Sequence, residues 1–338
     1  MTKKKFEIIS KAPARVCLFG DHQDYLNLPV IACAIDRFIE IKANKNNSNF
    51  LKIYKTELNE IEKININDPL ENIENEDYLK LALKVLKRYN CELTHGYDVY
   101  ISGNIPINAG LSSSSALTVA WIQFLIFAYK INIPVSKLIL SKLAYETEVI
   151  EQGSSGGKMD QYTISHGKTI FLNTLNDKIK IFSEPINCLI IGVSGESKDT
   201  LGMLSSLKSK TWEAINKVKS KVLDFDPKNI DLKKINLYLK ILDVKLQPFL
   251  EAAIINYKIT QKAKKEFLKK NFKNQIIGKL MNHHHKLLKE NLKITTPKID
   301  LMIDASLKSG AFGAKIIGSA GGGCIAVLSK KRNVNQMI

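Results

Sequence analysis

The chain has 338 residues, 45% of them hydrophobic and 25% charged, and a formal net charge of +17. That length suits about two domains, and the composition excludes a largely disordered chain. Charge this positive raises nucleic acid as a partner, but arginine occurs only at Arg15, Arg37, Arg88 and Arg332. The remaining basic residues are lysines spread along the chain, whereas base and phosphate recognition leans on arginine.

Neither a nucleic-acid partner nor a membrane is therefore expected. No apolar run reaches the ~18 residues of a membrane span. The apolar stretch after Met1-Thr2-Lys3-Lys4-Lys5 is too short for a secretory leader, so a cytoplasmic protein is expected. Cys17, Cys33, Cys91, Cys188 and Cys324 form no CxxC pair, which argues against a zinc framework or a disulfide scaffold and for buried free thiols.

In chain order, residues 6–9 and 15–20 read as two strands around Pro13, and 31–42 as another. Residues 43–76 are polar and Asn-rich, as in a surface excursion with an edge hairpin. Leu81, Val85 and Leu86 fall at helical spacing within 76–89. Residues 97–102 alternate as a strand does, and the loop 103–115 leads into an unbroken apolar segment, 116–129, that predicts a buried helix centred on Trp121. A further helix is expected over 136–152 with Ser136 near its cap. Residues 169–172 and 186–193 are strand-like, and His166 is assigned to a turn with Gly167. From about 198 to 293 the chain reads as helical and lysine-rich. Thr296-Pro297 opens a helix that Gly310 ends, and 314–317 and 325–328 are short strands. The pattern is mixed α+β, with a boundary near residue 180 dividing 1–180 from 181–338.

Four segments carry the chemistry. Pro106-Ile107-Asn108-Ala109-Gly110-Leu111-Ser112-Ser113-Ser114-Ser115-Ala116 joins a strand to a helix. Small residues at a helix N-terminus present free N–H groups and the positive end of the dipole, which suits phosphate, and serine hydroxyls can ligate Mg²⁺. It lacks the G-K-[ST] ending of a Walker loop, and the alternative is a serine-rich turn that caps a helix. Lys315-Ile316-Ile317-Gly318-Ser319-Ala320-Gly321-Gly322-Gly323-Cys324 carries more glycine than a hairpin needs, which favours a ligand or a tightly packed loop. In Arg15-Val16-Cys17-Leu18-Phe19-Gly20-Asp21-His22-Gln23-Asp24-Tyr25, Asp21, His22, Asp24 and Tyr25 suit hydroxyl recognition or an Asx turn. Gly153-Ser154-Ser155-Gly156-Gly157-Lys158-Met159-Asp160-Gln161 sets a carboxylate beyond a glycine loop, either as a general base or as a helix cap. The run Asn282-His283-His284-His285 offers three imidazoles, but consecutive residues on a helix point in different directions, so a non-metal role is expected, with His285 packed near the glycine segment.

Together the four segments resemble the GHMP kinases, and among these the galactokinases. The family's P-x-x-x-G-L-S-S-S-A pattern is met at 106–115, its C-terminal glycine motif at 315–324, the galactokinase R-V-x-L-x-G-E-H-x-D-Y pattern at 15–25, and G-x-M-D-Q at 157–161. The resemblance implies two α+β domains, an N-terminal one like domain 2 of ribosomal protein S5 and a ferredoxin-like C-terminal one, with the active site between them. It implies ATP and Mg²⁺ as cofactors and a sugar as acceptor, phosphorylated on its anomeric hydroxyl. By the same resemblance Asp160 is the base, and Arg15 steadies negative charge beside it. Gly110, Leu111, Ser112, Ser113, Ser114 and Ser115 hold ATP, and Ser114 and Glu148 hold Mg²⁺. Asp21, His22, Asp24 and Tyr25 bind sugar hydroxyls, while Gly318, Gly321, Gly322 and Gly323 support the phosphate loop.

The chain departs from the galactokinase pattern at Asp21 (Glu in the family), Ser115 (Ala), Ile317 (Thr) and the segment Leu26-Asn27-Leu28-Pro29 (an Asn-Gly-Gly turn). The sugar thus stays open, as do a mevalonate-type kinase and a non-catalytic sensor of sugar and nucleotide on the same fold. The expected partners are a sugar and ATP, with the chain a monomer or a homodimer.

Overall fold

The structure, a computed structural model, describes residues 5–196, 201–318 and 321–330. Ser319, Ala320 and Arg332 lie outside the described residues. Among the described residues, ten strands form two sheets. The first sheet contains β1 (Ile8–Phe19), β2 (Val30–Lys45), β3 (Phe50–Lys55), β4 (Glu60–Asn65), β5 (Tyr97–Gly103), β6 (Thr169–Asn173) and β7 (Lys178–Ile181), in the order β4-β3-β5-β2-β6-β7 with β1 also on β2. β3 and β5 run parallel and the other neighbours antiparallel. The second sheet is the antiparallel set β8 (Leu189–Val193), β10 (Cys324–Leu328) and β9 (Gly313–Ile317).

The expected pair of strands around Pro13 is one strand. Proline has no N–H to donate to a ladder, and β1 absorbs it with a register shift between Pro13 and Arg15 rather than by breaking. Bulges of this kind bend a strand and re-aim its side chains.

Helices α1 (Tyr78–Lys87), α2 (Ser113–Ala128), α3 (Lys137–Tyr145) and α4 (Met159–His166) belong to the first half, and α5 (Leu201–Lys219), α6 (Ile235–Leu239), α7 (Gln247–Phe267), α8 (Asn274–Glu290) and α9 (Pro297–Lys308) to the second. α2 is buried along most of its length, with the Trp121 indole N–H donating to the Leu79 carbonyl at 3.1 Å. It packs against β1 and β2, and α7 and α8 also reach β1. Ser136 caps α3 through its side chain, as expected, but the helix then widens into a π-turn at Glu146–Ile150. His166 is not in a turn. It ends α4, its Nδ1–H donating to the Tyr162 carbonyl at 2.8 Å, and the left-handed Gly167 closes the helix.

The halves share a core. Ile317 and Cys324 of the second sheet and Phe267, Ile277 and Met281 of α7 and α8 continue the apolar cluster built on β1, β2 and α2. α8 lies on β9 with backbone touching backbone: a Cβ on Gly313 would stand 2.1 Å from the Gly278 carbonyl oxygen. That approach brings buried His284 and His285 to β1 and β9 and leaves His283 exposed. His284 stacks on Phe19 with ring centroids 6.1 Å apart, and His285 Nδ1 accepts from the Ile316 N–H at 3.5 Å. Cys17, Cys33, Cys91 and Cys324 are buried and Cys188 is half-buried, with no disulfide among the described residues.

Candidate active site

A cavity of about 410 Å³ opens between the end of β1, the start of α2, the π-turn, the glycine loop 153–157 and the first turns of α4 and α5. Arg15 reaches it from just past the β1 bulge. Its Nε and Nη2 grip Asp160 Oδ1 and Oδ2 at 2.7 and 2.6 Å, and Nη1 donates to the Gly110 carbonyl at 2.6 Å. Two parallel N–H bonds fix a carboxylate in orientation as well as in charge. Burial works against the Arg15 charge, but Asp160 outweighs it and the guanidinium pKa is raised.

Ser112 stands at the N-cap of α2 in the left-handed region (φ 59°), yet its side chain makes no cap bond. Its hydroxyl donates to Asp160 Oδ2 instead. The hydroxyl that would cap the helix is thus turned to the carboxylate, and the first-turn N–H groups of α2, which helix geometry leaves without intrahelical acceptors, stay available to an anion. Of the serine-rich loop, Ser114 and Ser115 line the cavity. Gly110 and Leu111 turn their carbonyls to Arg15, the latter accepting its N–H at 3.2 Å. Ser113 opens α2 outside the cavity wall.

Glu148 projects from the π-turn and is buried. Its Oε2 accepts from the Gln161 amide at 2.5 Å. Burial chiefly, and Asp160 secondarily, push its pKa up to about 7 against the hydrogen bonds from Ser115, Gln161 and Ser114. A buried carboxylate with the Asp160 carboxylate and the Ser114 hydroxyl nearby offers the hard oxygen donors that Mg²⁺ prefers. The residues present therefore fit that ion. π-turns concentrate at functional sites, and this one gives the helix the extra turn width that carries Glu148 inward.

The other end of the cavity is built from the turn after β1. Asp24 Oδ1 accepts from the Tyr25 N–H at 3.0 Å and Oδ2 from the Met159 N–H at 3.3 Å, so that it caps α4. Burial first and Asp160 second raise Asp24 to about 6. The close approach requires Gly157, whose added Cβ would meet Asp24 Oδ2 at 2.0 Å. His22, left-handed at φ 61°, meets the Tyr25 hydroxyl through Nδ1 at 3.3 Å, while its Nε2 is buried without a partner. Burial lowers His22 to about 4, so the ring is neutral. Asp21 lines the same wall, its carboxylate held by the Lys315 ammonium at 2.8 Å.

The structure thus brings Arg15, Asp21, His22, Asp24, Tyr25, Ser114, Ser115, Glu148, Asp160 and Gly318 to one cavity. Gly321, Gly322 and Gly323 lie apart from its wall. The Gly321 N–H donates to the Ile294 carbonyl and that of Gly323 to the Glu196 carbonyl, both at 3.0 Å. Sequence reasoning missed Tyr78 and Leu204 in the wall, and it quoted Gln161 and Lys315 within their motifs without giving either a role. Lys315 had left a signal: a lone lysine in the apolar strand Ala314, Ile316, Ile317 marks a buried charge that needs a partner.

Residues 77–168 match the GHMP kinases N-terminal domain and residues 263–338 the GHMP kinases C-terminal domain. With both domains present in order around this cavity, the chain belongs to the GHMP kinases. Residues 2–45 further match the galactokinase galactose-binding signature. Mevalonate kinase of Pyrococcus horikoshii is 28% identical over 334 residues, covering 96% of this chain and 89% of the relative. Galactokinase of Staphylococcus saprophyticus is 25% identical over 347 residues, covering 98% and 88%. The crystal structure of Lactococcus lactis galactokinase complexed with galactose has the same fold, with a TM-score of 0.87 at 23% identity over 98% of this chain and 88% of that one. No helix among the described residues is long and apolar enough to cross a membrane.

Proposed function

We propose that the chain is an ATP- and Mg²⁺-dependent sugar 1-kinase of galactokinase type. The observation that carries the reading is the placement of Asp160, clamped by Arg15 and Ser112, between an uncapped helix N-terminus and the hydroxyl-binding turn of His22, Asp24 and Tyr25. The α2 N-terminus and its serine loop take the phosphates. Ser114 and Glu148 hold Mg²⁺, which supplies charge neutralisation at the phosphoryl oxygens when bound. Asp21, His22, Asp24 and Tyr25 hold the acceptor's hydroxyls.

Phosphoryl transfer needs position and electrostatics more than a strong base. The acceptor's anomeric oxygen forms its bond to the γ-phosphorus as the bond from that phosphorus to the β,γ-bridging oxygen breaks, and the hydroxyl proton passes to Asp160. Arg15 holds Asp160 aimed until that transfer. The galactose-binding signature supports a sugar over mevalonate as acceptor, and a neutral polyol makes use of two carboxylates, an imidazole and a phenol, whereas an anionic acceptor would meet those carboxylates with like charge. The likeness to the mevalonate kinase of P. horikoshii supports the second reading, a mevalonate-type kinase.

The test is ATP-dependent ADP release with Mg²⁺ over galactose, glucose, mannose, fucose, arabinose, N-acetylgalactosamine, two uronic acids and mevalonate. A sugar-dependent rate with an acid-labile product phosphate supports the first reading, and turnover of mevalonate alone replaces it with the second. Asp160→Asn lowers kcat by about 10³-fold or more and leaves ATP affinity, measured by calorimetry, within twofold. Unchanged turnover removes Asp160 from the mechanism.

A further inference from the structure

We propose that Lys315 is a positioning residue for the acceptor site, acting from the second sheet through Asp21. Lys315 sits on β9 wholly buried, and its ammonium donates to Asp21 Oδ2 at 2.8 Å and to the Cys17 carbonyl at 3.1 Å. Asp21 is only 3% exposed, yet it lines the cavity and Lys315 does not. The lysine therefore touches the acceptor pocket by way of one carboxylate.

Arg15 lies within electrostatic reach of Asp21, and the ring beside the pair is neutral. His284 stands 3.9 Å from Asp21 Oδ2, and burial first and the Lys315 charge second lower it to about 3, so it is neutral. Burial works to raise Asp21, but Lys315 and the other contacts outweigh it and the carboxyl is held below its ordinary range. Two further grips come from α7. The Asn256 amide donates to the Asp21 carbonyl at 2.9 Å, and the Gln23 amide to the Thr260 hydroxyl at 3.2 Å. The second half of the chain thus sets the turn that carries Asp21, His22 and Asp24.

An ion pair buried this deeply is seldom the most stable choice, since well-packed apolar residues of equal volume do as well or better. What it supplies is a fixed orientation. Lys315 holds Oδ2 and so fixes the plane in which the carboxylate meets a hydroxyl donated by the acceptor. Asp21 is one methylene shorter than the glutamate of the galactokinase pattern, and a carboxylate so short is aimed by its partner rather than by its own reach.

The assignment rests in part on the sugar-kinase reading, and the experiment separates the two. Lys315→Met, Lys315→Arg, Asp21→Asn and the double variant Asp21→Asn/Lys315→Met are compared with the wild-type chain by steady-state kinetics on the acceptor found above, MgATP calorimetry, thermal midpoint and amide hydrogen exchange. Lys315→Met is expected to raise acceptor KM at least tenfold with MgATP affinity within twofold, and Lys315→Arg to recover most of the loss. If Lys315→Met does not fold, the double variant carries the test, because it leaves no unpaired buried charge. It is expected to recover the thermal midpoint, to keep the raised KM, and to exchange amides 20–25 at least tenfold faster while 106–118 stay unchanged. A double variant with wild-type KM and wild-type exchange at 20–25 overturns the proposal. A wild-type chain inert to every sugar overturns the sugar-kinase reading and leaves the exchange result to decide Lys315.

Discussion

Gly157→Ala tests the acceptor end with the smallest change of structure. The added Cβ falls 2.0 Å from Asp24 Oδ2 and 2.1 Å from its Cγ, an overlap that side-chain breathing cannot absorb. Gly157 itself is not in the left-handed region, so alanine brings no backbone strain there and the damage is confined to Asp24. Asp24 must swing away, and it loses the Met159 N–H at 3.3 Å, the first donor of α4. Loss of a helix cap costs about 0.5–2 kcal/mol, and loss of a hydrogen bond to a charged group about 1.5–3 kcal/mol before water compensates. The two estimates meet at about 1.5–2 kcal/mol of stability. If Asp24 also accepts an acceptor hydroxyl, the same 1.5–3 kcal/mol raises acceptor KM roughly 10- to 150-fold, with MgATP affinity unchanged. Gly156→Ala is the control for stability, because its Cβ makes its nearest contacts at 3.4 and 3.5 Å. Steady-state kinetics and urea unfolding of both variants decide the matter. Gly157→Ala with wild-type acceptor KM and wild-type stability refutes the placing of Asp24.

Two further outcomes follow from the same geometry. Asp24 is raised to about 6, and it must be ionised to accept a hydroxyl, so kcat/KM for the acceptor rises with pH through about 6 and Asp24→Asn loses that limb. The stability sign is opposite: between pH 3.8 and about 6 the folded chain holds a proton that the unfolded chain has lost, so unfolding free energy falls as pH rises, by up to about 3 kcal/mol, and Asp24→Asn flattens the slope in urea titrations. Ser112→Ala removes a hydroxyl that serves Asp160 and not the helix, so kcat falls about tenfold, on the order of one hydrogen bond to a charged group, while the thermal midpoint moves little. A loss of about 1–2 kcal/mol in stability with kcat unchanged assigns Ser112 to capping instead.

How much of this was legible in the residues depended on whether one segment or two carried the information. The serine loop, the turn after β1 and the glycine segment could be read because each is a contiguous run whose small or polar residues have a local backbone consequence. α4 could not. Its eight residues follow a glycine-rich loop, and its first N–H is satisfied by Asp24, 135 residues earlier in the chain, so no capping residue precedes it to announce a helix. Pro13 misled for the reverse reason: the local rule ends a strand there, but ten register pairs with β2 carry the strand through a bulge. β7 (Lys178–Ile181) is short, and its exposed lysines hid the alternation.

The site shows the same division. Arg15 and Asp160 each stood in a recognisable motif, but the fork between them joins residues 145 apart. The diversion of Ser112 from helix cap to carboxylate depends on that fork, because Asp160 must be aimed at α2 before the hydroxyl gains more there than at its own N–H groups. Lys315 and Asp21, 294 residues apart, belong to motifs usually read separately, one for hydroxyls and one for phosphate support. Bringing α8 onto β9 through Gly278 and Gly313 buries Lys315 where Asp21 is the ionised group in reach. The backbone contact of two glycines and the charge of one lysine are then a single device: the first removes the water that would otherwise satisfy the ammonium, and the second converts that dryness into a fixed orientation for a carboxylate at the acceptor wall.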